Sequence, residues 1–408
     1  MTRKLSDNWS SPLESLSGRR LVLVVTGGVA AYKAAELARM WVRAGALVRV
    51  VLTENAARFI SPLTFESLTG QPVFWDMWAQ RQFEIEHIAL ADWAEAVIIA
   101  PATANFLAKA AHGLADDFAS TFLLAASHLP QLAAPAMNSR MWAARPTQAN
   151  LKTLAANGVS IIEPQAGLLA CGASGDGRLA DLECIALCTA RSLGPGNMRG
   201  LSVVVSAGST REPWDDIRFL ANRSTGKMGM ALAIACWLRG ASVTLLAGPG
   251  VAASPFLPDF SRLEAETTCE MLDILAGLDF QVLIMAAAPA DFRPAERVSG
   301  KIKKTGGAPA LSLAPNPDIL KSLDKGDRLF VGFAAEDGDL IERAKGKLAD
   351  KNLDLIAANR AGGPEGAFGA DNNHLWLLDK SGEVSEISPR PKFAAAWAIS
   401  EAMSGLLK

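Results

Sequence analysis

The chain has 408 residues; half are apolar and 20% charged, and 40 basic against 42 acidic side chains give a formal net charge of −2. This composition excludes extended disorder, a polyacidic tail and a large basic field for nucleic acid, so small-molecule ligands are expected. The length exceeds the usual size of one hydrophobic core and indicates two domains.

The N-terminal stretch MTRKLSDNWSSPLESLSGRR lacks the apolar run of a secretory signal, and we interpret residues 1–18 as a flexible polar leader. The five cysteines are odd in number and include no CxxC pair, so they indicate neither a disulfide framework nor a structural zinc site. No stretch has eighteen uninterrupted apolar residues. A reducing, cytoplasmic location fits these observations.

Each half of the chain opens with the same succession of strand, turn, helix and strand. In the first half these are LVLVVT (21–26), a helix over 30–45 and ALVRVVLT (46–53). In the second they are LSVVVSAG (201–208), a helix over 229–240 and ASVTLLAG (241–248). Further strands are predicted at 94–100, 131–136, 281–288, 328–336 and 353–359, and a closing helix at 391–407.

This alternation predicts an α/β protein with two doubly wound domains, each built on a parallel sheet covered by helices. The stretch LGPGNMRG interrupts every periodic pattern, so we place a linker at 194–200, between domains spanning 19–193 and 201–408.

Candidate ligand residues of the first half follow its strands. The turn Thr26-Gly27-Gly28-Val29 leads into a helix, where backbone N–H groups can approach a phosphate. The second strand ends in Thr53 instead of the acidic residue that binds a ribose in NAD-binding folds, so a mononucleotide is favoured and an NAD-linked dehydrogenase is disfavoured. Two further candidates, Thr103 and Asn138, could equally be helix caps.

The segment GLLACGASGDGR (167–178) has four glycines around Cys171, which is typical of a flexible loop. A thiol in such a loop can be exposed and can act as a proton donor, although a structural role for Cys171 is the alternative.

The segments GGVAAYK, PATAN, PAMNSRMW and LACGASGDGR, in this order, resemble the flavin-dependent cysteine decarboxylases, specifically 4′-phosphopantothenoylcysteine decarboxylase. The resemblance implies His87 as a catalytic residue, Asn138 as the residue that binds the substrate carboxylate and Cys171 as the proton donor. It implies FMN contacts from Gly27, Gly28, Val29, Thr53, Pro101, Ala102, Thr103, Asn105 and Met137. A cysteine amide has no electron sink for decarboxylation. Transient oxidation by FMN would supply one, with no need for NAD.

In the second half, the loop STGKMG (224–229) differs from a phosphate-binding P-loop, because Ala221 replaces its first glycine and Met228 its Ser/Thr. A P-loop NTPase is therefore disfavoured. Asp291 ends a predicted strand and the lysine run KIKK (301–304) follows it. Such a run could bind phosphates, although it could equally be a solvated face.

The segments SAGSTREP, NRSTGKMG, KIKK and VGFAAE closely resemble phosphopantothenate–cysteine ligase, and a decarboxylase followed by a ligase is the order of the bacterial bifunctional family. The resemblance implies that Asn222 stabilises an acyl-cytidylate, that Lys301 serves the attack by cysteine, and that Arg218 and Asn222 contact the ligase substrate, as Asn138 does in the first half. It implies CTP contacts from Ala287, Asp291, Lys301, Pro317, Asp318, Ile319, Phe333, Lys347 and Lys351.

The resemblance thus implies a bifunctional enzyme of coenzyme A synthesis. CTP would activate 4′-phosphopantothenate with release of pyrophosphate, L-cysteine would displace CMP, and the 4′-phosphopantothenoylcysteine would lose carbon dioxide to give 4′-phosphopantetheine. FMN, and Mg²⁺ with CTP, are the expected cofactors, and the residues do not identify metal ligands. A homo-oligomer is implied, with trimers through the first half, pairing through the second and sites shared between chains. The alternative is that one half is degenerate and acts as a partner or regulatory domain.

Three positions depart from the ligase pattern. Thr225 replaces a serine and keeps the hydroxyl, Asp216 stands where proline is common, and Gly300 stands where glutamate is common. The last two lie beside the expected ligase site and could alter the order of its loop.

Overall fold

The computed structural model describes residues 9–78, 85–168, 174–303, 310–336, 338–360 and 370–407. The chain divides into two units: residues 13–194 form one, and residues 195–407 together with 9–12 form the other. The division after residue 194 falls at the start of the segment interpreted as the linker.

Strands of the first unit are β1 (Arg20–Val25), β2 (Leu47–Leu52), β3 (Val73–Phe74), β4 (Ala96–Ala102), β5 (Gln131–Pro135), β6 (Ser160–Ile161), β7 (Gln165–Leu168) and β8 (Ser174–Arg178). The first six form a parallel sheet in the order β3-β2-β1-β4-β5-β6, whereas β7 and β8 form a separate antiparallel hairpin. The four longer parallel strands confirm the predicted ones. Because helices cover both faces, these strands are apolar almost throughout.

Helices of the first unit are α1 (Ala31–Arg43), α2 (Glu54–Ala57), α3 (Pro62–Thr69), α4 (Glu86–Trp93), α5 (Ala104–His112), α6 (Phe118–Ala125), α7 (Ser139–Trp142), α8 (Arg145–Ala156) and α9 (Leu182–Ser192).

Strands of the second unit are β9 (Ser202–Ala207), β10 (Glu212–Pro213), β11 (Phe219–Leu220), β12 (Ser242–Ala247), β13 (Phe260–Glu264), β14 (Val282–Met285), β15 (Phe292–Pro294), β16 (Leu313–Pro315), β17 (Leu329–Glu336), β18 (Leu355–Arg360), β19 (Asn372–Asp379) and β20 (Val384–Pro391). The main sheet has the order β13-β12-β9-β14-β17-β18-β19-β20, parallel up to β18 and antiparallel beyond it. The parallel part confirms the predicted fold. The antiparallel pair β19 and β20 was not predicted.

Helices of the second unit are α10 (Lys227–Leu238), α11 (Thr268–Gly277), α12 (Ile319–Ser322), α13 (Leu340–Asp350) and α14 (Lys392–Leu406). Among all the described residues, no helix combines the length and the apolar character that a membrane crossing requires.

The segment predicted as a leader is packed from residue 9 onward. Trp9 is buried against α14, with its ring 6.5 Å from that of Phe393 and 5.3 Å from that of Trp397. A short 3₁₀ helix follows (Pro12–Leu16) and buries Leu16. The prediction of a flexible leader over residues 1–18 is therefore wrong for residues 9–18, because two of its few large apolar side chains find buried positions.

Candidate active sites

A cavity of about 1040 Å³ opens where the parallel strands of the first unit end. Predicted site residues that line it are Gly27, Gly28, Val29, Thr53, Pro101, Thr103, Asn105, Met137 and Asn138. Ala102 does not, because it is buried within β4. His87 lies half-buried on α4 and is not among the described lining residues. Cys171 falls outside the described residues.

The ends of β1 and β4 are joined by the hydroxyl of Thr26. It donates a hydrogen bond to the carbonyl oxygen of Pro101 (2.7 Å) and accepts one from the backbone N–H of Thr103 (2.9 Å). Thr103 stands at the N-terminus of α5, but its side chain makes no capping bond and lies 3.1 Å from the Thr26 hydroxyl. The capping alternative is therefore wrong for the Thr103 side chain.

Two other predicted residues do cap helices. The Thr53 hydroxyl accepts a bond from the N–H of Ala56 (3.2 Å), and Asn138 Oδ1 accepts one from the N–H of Arg140 (2.9 Å). Both side chains also line the cavity. Their orientation at the strand ends is thus fixed by the helices that they start.

The glycine turn after β1 passes close to the start of α2. A Cβ added to Gly27 would lie 2.4 Å from the Cβ of Asn55, so only glycine allows this close approach. The following helix α1 begins without a capping side chain, and its N-cap residue Ala30 lines the cavity. Backbone N–H groups at a helix N-terminus favour an anionic ligand, although those of Ala31 and Lys33 already donate to the carbonyl oxygens of Gly28 and Ala30.

The hairpin of β7 and β8 is fastened to the cavity through Met137, whose N–H donates to the carbonyl oxygen of Gly177 (2.9 Å). Gly177 and Arg178 then line the cavity. Sequence reasoning missed Lys109, which also lines it and binds Asp116 and Asp117 at 2.7 and 2.9 Å. No motif marked this lysine, which lies in the last turn of α5.

A second cavity, of about 370 Å³, opens where the parallel strands of the second unit end. Predicted residues that line it are Asn222, Ala287, Asp291, Pro317, Asp318, Ile319, Phe333, Lys347 and Lys351. Arg218 and Lys301 are not among its described lining residues. Sequence reasoning missed several polar residues of this cavity: Lys227, Asn316, Asn359, Asn373 and Lys392.

The loop after β14 is held in place by hydrogen bonds from two directions. Asn222 Nδ2 donates to the carbonyl oxygens of Ala288 (3.2 Å) and Pro289 (2.9 Å). The N–H of Ala290 donates to the hydroxyl of Thr210 (3.0 Å), which is buried. Asn222 is therefore a link between the loop over 221–226 and the strand edge that carries Asp291.

Lys347, in α13, and Lys351, the residue that caps its C-terminus, each have a carboxylate partner. Lys347 forms an ion pair with Glu336, and Lys351 Nζ lies 3.0 Å from an Asp318 oxygen. Burial alone would raise the pKa of Glu336, but Lys347 and Arg343 outweigh it and the pKa is lowered. Both lysines line the cavity, and part of their charge is already compensated.

The two departures Asp216 and Gly300 are in contact with each other. The N–H of Gly300 donates to Asp216 Oδ2 (2.8 Å), and Arg297 Nη2 lies 3.2 Å from Asp216 Oδ1. Next to them, the N–H of Ile302 donates to Asp215 Oδ2 (3.2 Å). Burial would raise the pKa of Asp215, but the backbone N–H bonds from Arg218, Ile217 and Ile302 lower it. The carboxylates of Asp215 and Asp216 therefore hold the backbone segment on both sides of Lys301 by hydrogen bonds.

We expect Asp216→Ala to open this segment and to accelerate trypsin cleavage after Lys301 about fivefold, because one exposed hydrogen bond is worth about 1 kcal/mol. Asp324→Ala is the matched control, since Asp324 accepts a similar bond from the N–H of Gly326 elsewhere on the surface. Equal cleavage rates after Lys301 in the wild type and Asp216→Ala would contradict the fastening role.

Two family models match the chain along nearly its whole length: "Flavoprotein" over residues 9–194 and "DNA/pantothenate metabolism flavoprotein C-terminal domain" over residues 198–406. The coenzyme A biosynthesis bifunctional protein CoaBC of Bacillus subtilis is 41% identical over 404 residues, which cover 96% of this chain and 98% of that protein. The chain belongs to this family. The bifunctional protein of the same name from Escherichia coli K12 is 41% identical over 90% of this chain and 93% of its own length.

Solved structures resemble each half of this family member separately. The C-terminal domain of a coenzyme A biosynthesis bifunctional protein CoaBC is 31% identical and covers 52% of this chain and 98% of that chain, with a TM-score of 0.44. The FMN-dependent cysteine decarboxylase SpaF is 34% identical and covers 44% of this chain and 99% of that chain, with a TM-score of 0.39. The family resemblance read from the motifs of both halves is thus confirmed by the full-length relatives.

Proposed function

We propose that the chain makes 4′-phosphopantetheine in two steps, a CTP-dependent ligation of L-cysteine to 4′-phosphopantothenate and an FMN-dependent decarboxylation of the product. The observation that carries this proposal is that relatives named as bifunctional coenzyme A biosynthesis proteins align over 96% of the chain, across both halves. Each unit also has its own cavity where its parallel strands end, the usual ligand position in open α/β sheets.

In the ligase step, a carboxylate oxygen of phosphopantothenate attacks the α-phosphorus of CTP and pyrophosphate leaves. The cysteine amine then attacks the acyl carbon, loses a proton and expels CMP. The amide of Asn222 would orient the acyl-cytidylate, and Lys347 and Lys351 would bind nucleotide phosphates. Lys301, on the segment fastened by Asp215 and Asp216, would serve the attack by cysteine.

Mg²⁺ would enter this site with CTP. Among the described residues, no group of three or more His, Cys, Asp or Glu side chains could hold a metal ion. Magnesium commonly keeps several waters and binds substrate phosphates with one or two carboxylates. The carboxylates of Asp291 and Asp318 line the cavity and are the candidates for that contact.

In the decarboxylase step, the turn over 26–30 and the ends of β2 and β4 would hold FMN. When bound, FMN supplies a transient two-electron oxidation of the substrate, which creates the electron sink for loss of carbon dioxide. Asn138 would bind the substrate carboxylate, in an orientation fixed by the bond from Oδ1 to the N–H of Arg140. Cys171 would deliver the final proton.

The direct test supplies phosphopantothenate, cysteine, CTP and magnesium to the flavin-loaded protein and follows pyrophosphate and carbon dioxide. Both products, together with a yellow protein that absorbs as a flavoprotein, are expected. Pyrophosphate without carbon dioxide would leave only the ligase, which is the outcome of a degenerate first half. Neither product would overturn both activities.

We expect Cys171→Ser to release carbon dioxide at close to the wild-type rate but to lower phosphopantetheine output at least about 100-fold, because a hydroxyl is a far weaker acid than a thiol. Mass spectrometry of the products measures this, and Cys188→Ser, in buried α9, controls for cysteine loss. Normal phosphopantetheine output from Cys171→Ser would contradict the proton-donor role.

We also propose that the first unit shares its site between copies of the chain. His87 does not line the cavity described for its own chain, and it lies between Ile85 and Ile88, which are exposed. Trp78 is 86% exposed. Such apolar exposure is typical of a surface that another subunit covers. Sedimentation is expected to give a multiple of the chain mass, and a single-chain mass would contradict this proposal.

The cytoplasm remains the proposed location. Among the described cysteines, Cys184, Cys188, Cys236 and Cys269 form no disulfide, as is expected in a reducing compartment.

A further inference from the structure

The N-terminus of α10 opens into the ligase cavity without a capping side chain. The residue before the helix, Gly226, has φ 76°, in the left-handed region that favours glycine, and supplies no acceptor for the N–H groups of the first turn. Gly226, Lys227 and Met228 all line the cavity. In a helix of twelve residues, these N–H groups carry the positive end of the helix dipole.

Asn373, on β19, is a buried polar residue that lines the same cavity as the N-terminus of α10. It is only 5% exposed, and its Nδ2 contacts Met228 Sδ at 3.4 Å. Its Oδ1 has no hydrogen-bond partner among the described residues. Sulfur is a weak acceptor, and a half-turn of the amide exchanges its donor and acceptor ends. Asn373 therefore lies beside Met228 at the start of α10, and its amide is not saturated by strong hydrogen bonds within the described residues.

Lys392, the first residue of α14, is a buried cation beside them. It lines the cavity, is 8% exposed, and its ammonium makes no hydrogen bond or ion pair to any part of the chain that the structure describes. Its backbone N–H donates to the carbonyl oxygen of Asp371, but the Asp371 carboxylate binds Lys227 instead (2.6 Å). Burial lowers the pKa of Lys392 and the charge of Lys227 lowers it further, against the opposing effect of Asp371.

Lys392 thus differs from the other lysines of this cavity. Lys227, Lys347 and Lys351 each have a carboxylate within ion-pair distance, namely Asp371, Glu336 and Asp318. A buried charge without a partner destabilises the fold, and such unfavourable arrangements are kept where a ligand completes them.

We infer that Lys392, Asn373 and the N-terminus of α10 form a phosphate-binding subsite of the ligase cavity. This inference rests on the proposed function, which brings two phosphate-bearing ligands, the 4′-phosphate ester of phosphopantothenate and the triphosphate of CTP. Both present the same chemistry, a tetrahedral anion that accepts bonds from an ammonium, an amide and backbone N–H groups. Lys392 is then a ligand-positioning residue that lies C-terminal to every motif that marks the site.

The experiment compares Lys392→Gln with the wild type in the full chain, with Lys345→Gln as the matched control. Lys345 is an exposed lysine of α13 paired with Glu342. Pyrophosphate release is measured with varied phosphopantothenate and with varied CTP. Lys392→Gln should raise the KM of one of them about 10- to 100-fold, the usual effect of losing a charge-assisted bond, and Lys345→Gln should leave both unchanged.

Comparing phosphopantothenate with pantothenate, and CTP with cytidine, identifies which phosphate is bound. If the subsite holds the phosphate ester, unphosphorylated pantothenate should be used equally poorly by the wild type and Lys392→Gln. If it holds the triphosphate, CTP should lose affinity in Lys392→Gln while inhibition by cytidine is unchanged. Both KM values within twofold of the wild type would overturn the inference.

A binding measurement separates this inference from the proposed function, because it needs no turnover. Inorganic phosphate and pyrophosphate should raise the melting temperature of the wild type more than that of Lys392→Gln. Without ligand, Lys392→Gln should melt no lower than the wild type, since it removes an unpaired buried charge. A lower melting temperature, or equal stabilisation of both proteins by these anions, would assign Lys392 to the fold and overturn the inference, whether or not the wild type makes pyrophosphate.

Discussion

Asn222→Asp is expected to slow pyrophosphate release about 100- to 1,000-fold, while release of carbon dioxide from supplied phosphopantothenoylcysteine stays at the wild-type rate. The amide donates to the carbonyl oxygens of Ala288 and Pro289. A carboxylate cannot donate these bonds and would bring negative charge against two carbonyl oxygens, at the place where the acyl-cytidylate must be bound. The loop over 221–226 should therefore move away from the strand edge.

Asn197→Asp is the matched control for this substitution. Asn197 is an exposed residue of the same unit whose Nδ2 also donates a hydrogen bond, to the hydroxyl of Ser404. Its replacement changes the same chemical group away from the cavity and should leave both activities unaltered. A ligase rate of Asn222→Asp within tenfold of the wild type would contradict the role of Asn222. Loss of both activities would indicate unfolding, which circular dichroism would detect.

Gly27→Ala should give a colourless protein that releases no carbon dioxide but still makes pyrophosphate. The added Cβ would lie 2.4 Å from the Cβ and 2.8 Å from the backbone carbonyl carbon of Asn55, so either the glycine turn or the start of α2 must shift. Overpacking of this kind costs about 1–3 kcal/mol. The shift would also displace the N–H groups that are proposed to bind the FMN phosphate. Absorbance at flavin wavelengths, before and after added FMN, measures the loss.

The neighbouring glycine provides the control. A Cβ on Gly28 would be 3.4 Å from Thr103 Cγ2, an ordinary contact, so Gly28→Ala should fold with the wild-type melting temperature. Any change in its flavin content would then report on contact with the ligand alone. Wild-type flavin content in Gly27→Ala would show that the close approach to Asn55 has no part in flavin binding.

The parallel strands were predictable because burial on both faces makes them continuous apolar runs, as in β4 and β14. The edge strands were not. β13 has no buried residue and β20 is largely exposed, so their sequences carry no apolar run, and β3 and β6 have only two residues each. Local pattern therefore predicts the centre of each sheet better than its edges.

The cavity-lining residues next to strand ends were predictable for a similar reason, since the end of a parallel strand fixes where the following side chains lie. The ligase resemblance assigned Lys347 and Lys351 to one site, and both line the same cavity, but it did not reveal their partners Glu336 and Asp318, which come from other elements. Lys392 and Asn373 were missed because only their burial and their lack of hydrogen-bond partners distinguish them from other polar residues. Residue spacing in the sequence predicts neither property.

The position of Trp9 affects where the chain can be cut to separate its two units. A ligase fragment cut at the linker would start near Pro195 and would lose the indole that covers Phe393 and Trp397 on α14. In such a fragment Phe393 and Trp397, which are 5% and 7% exposed in the full chain, would become more accessible to solvent. A residue that precedes the first unit in the sequence is therefore part of the hydrophobic core of the second unit.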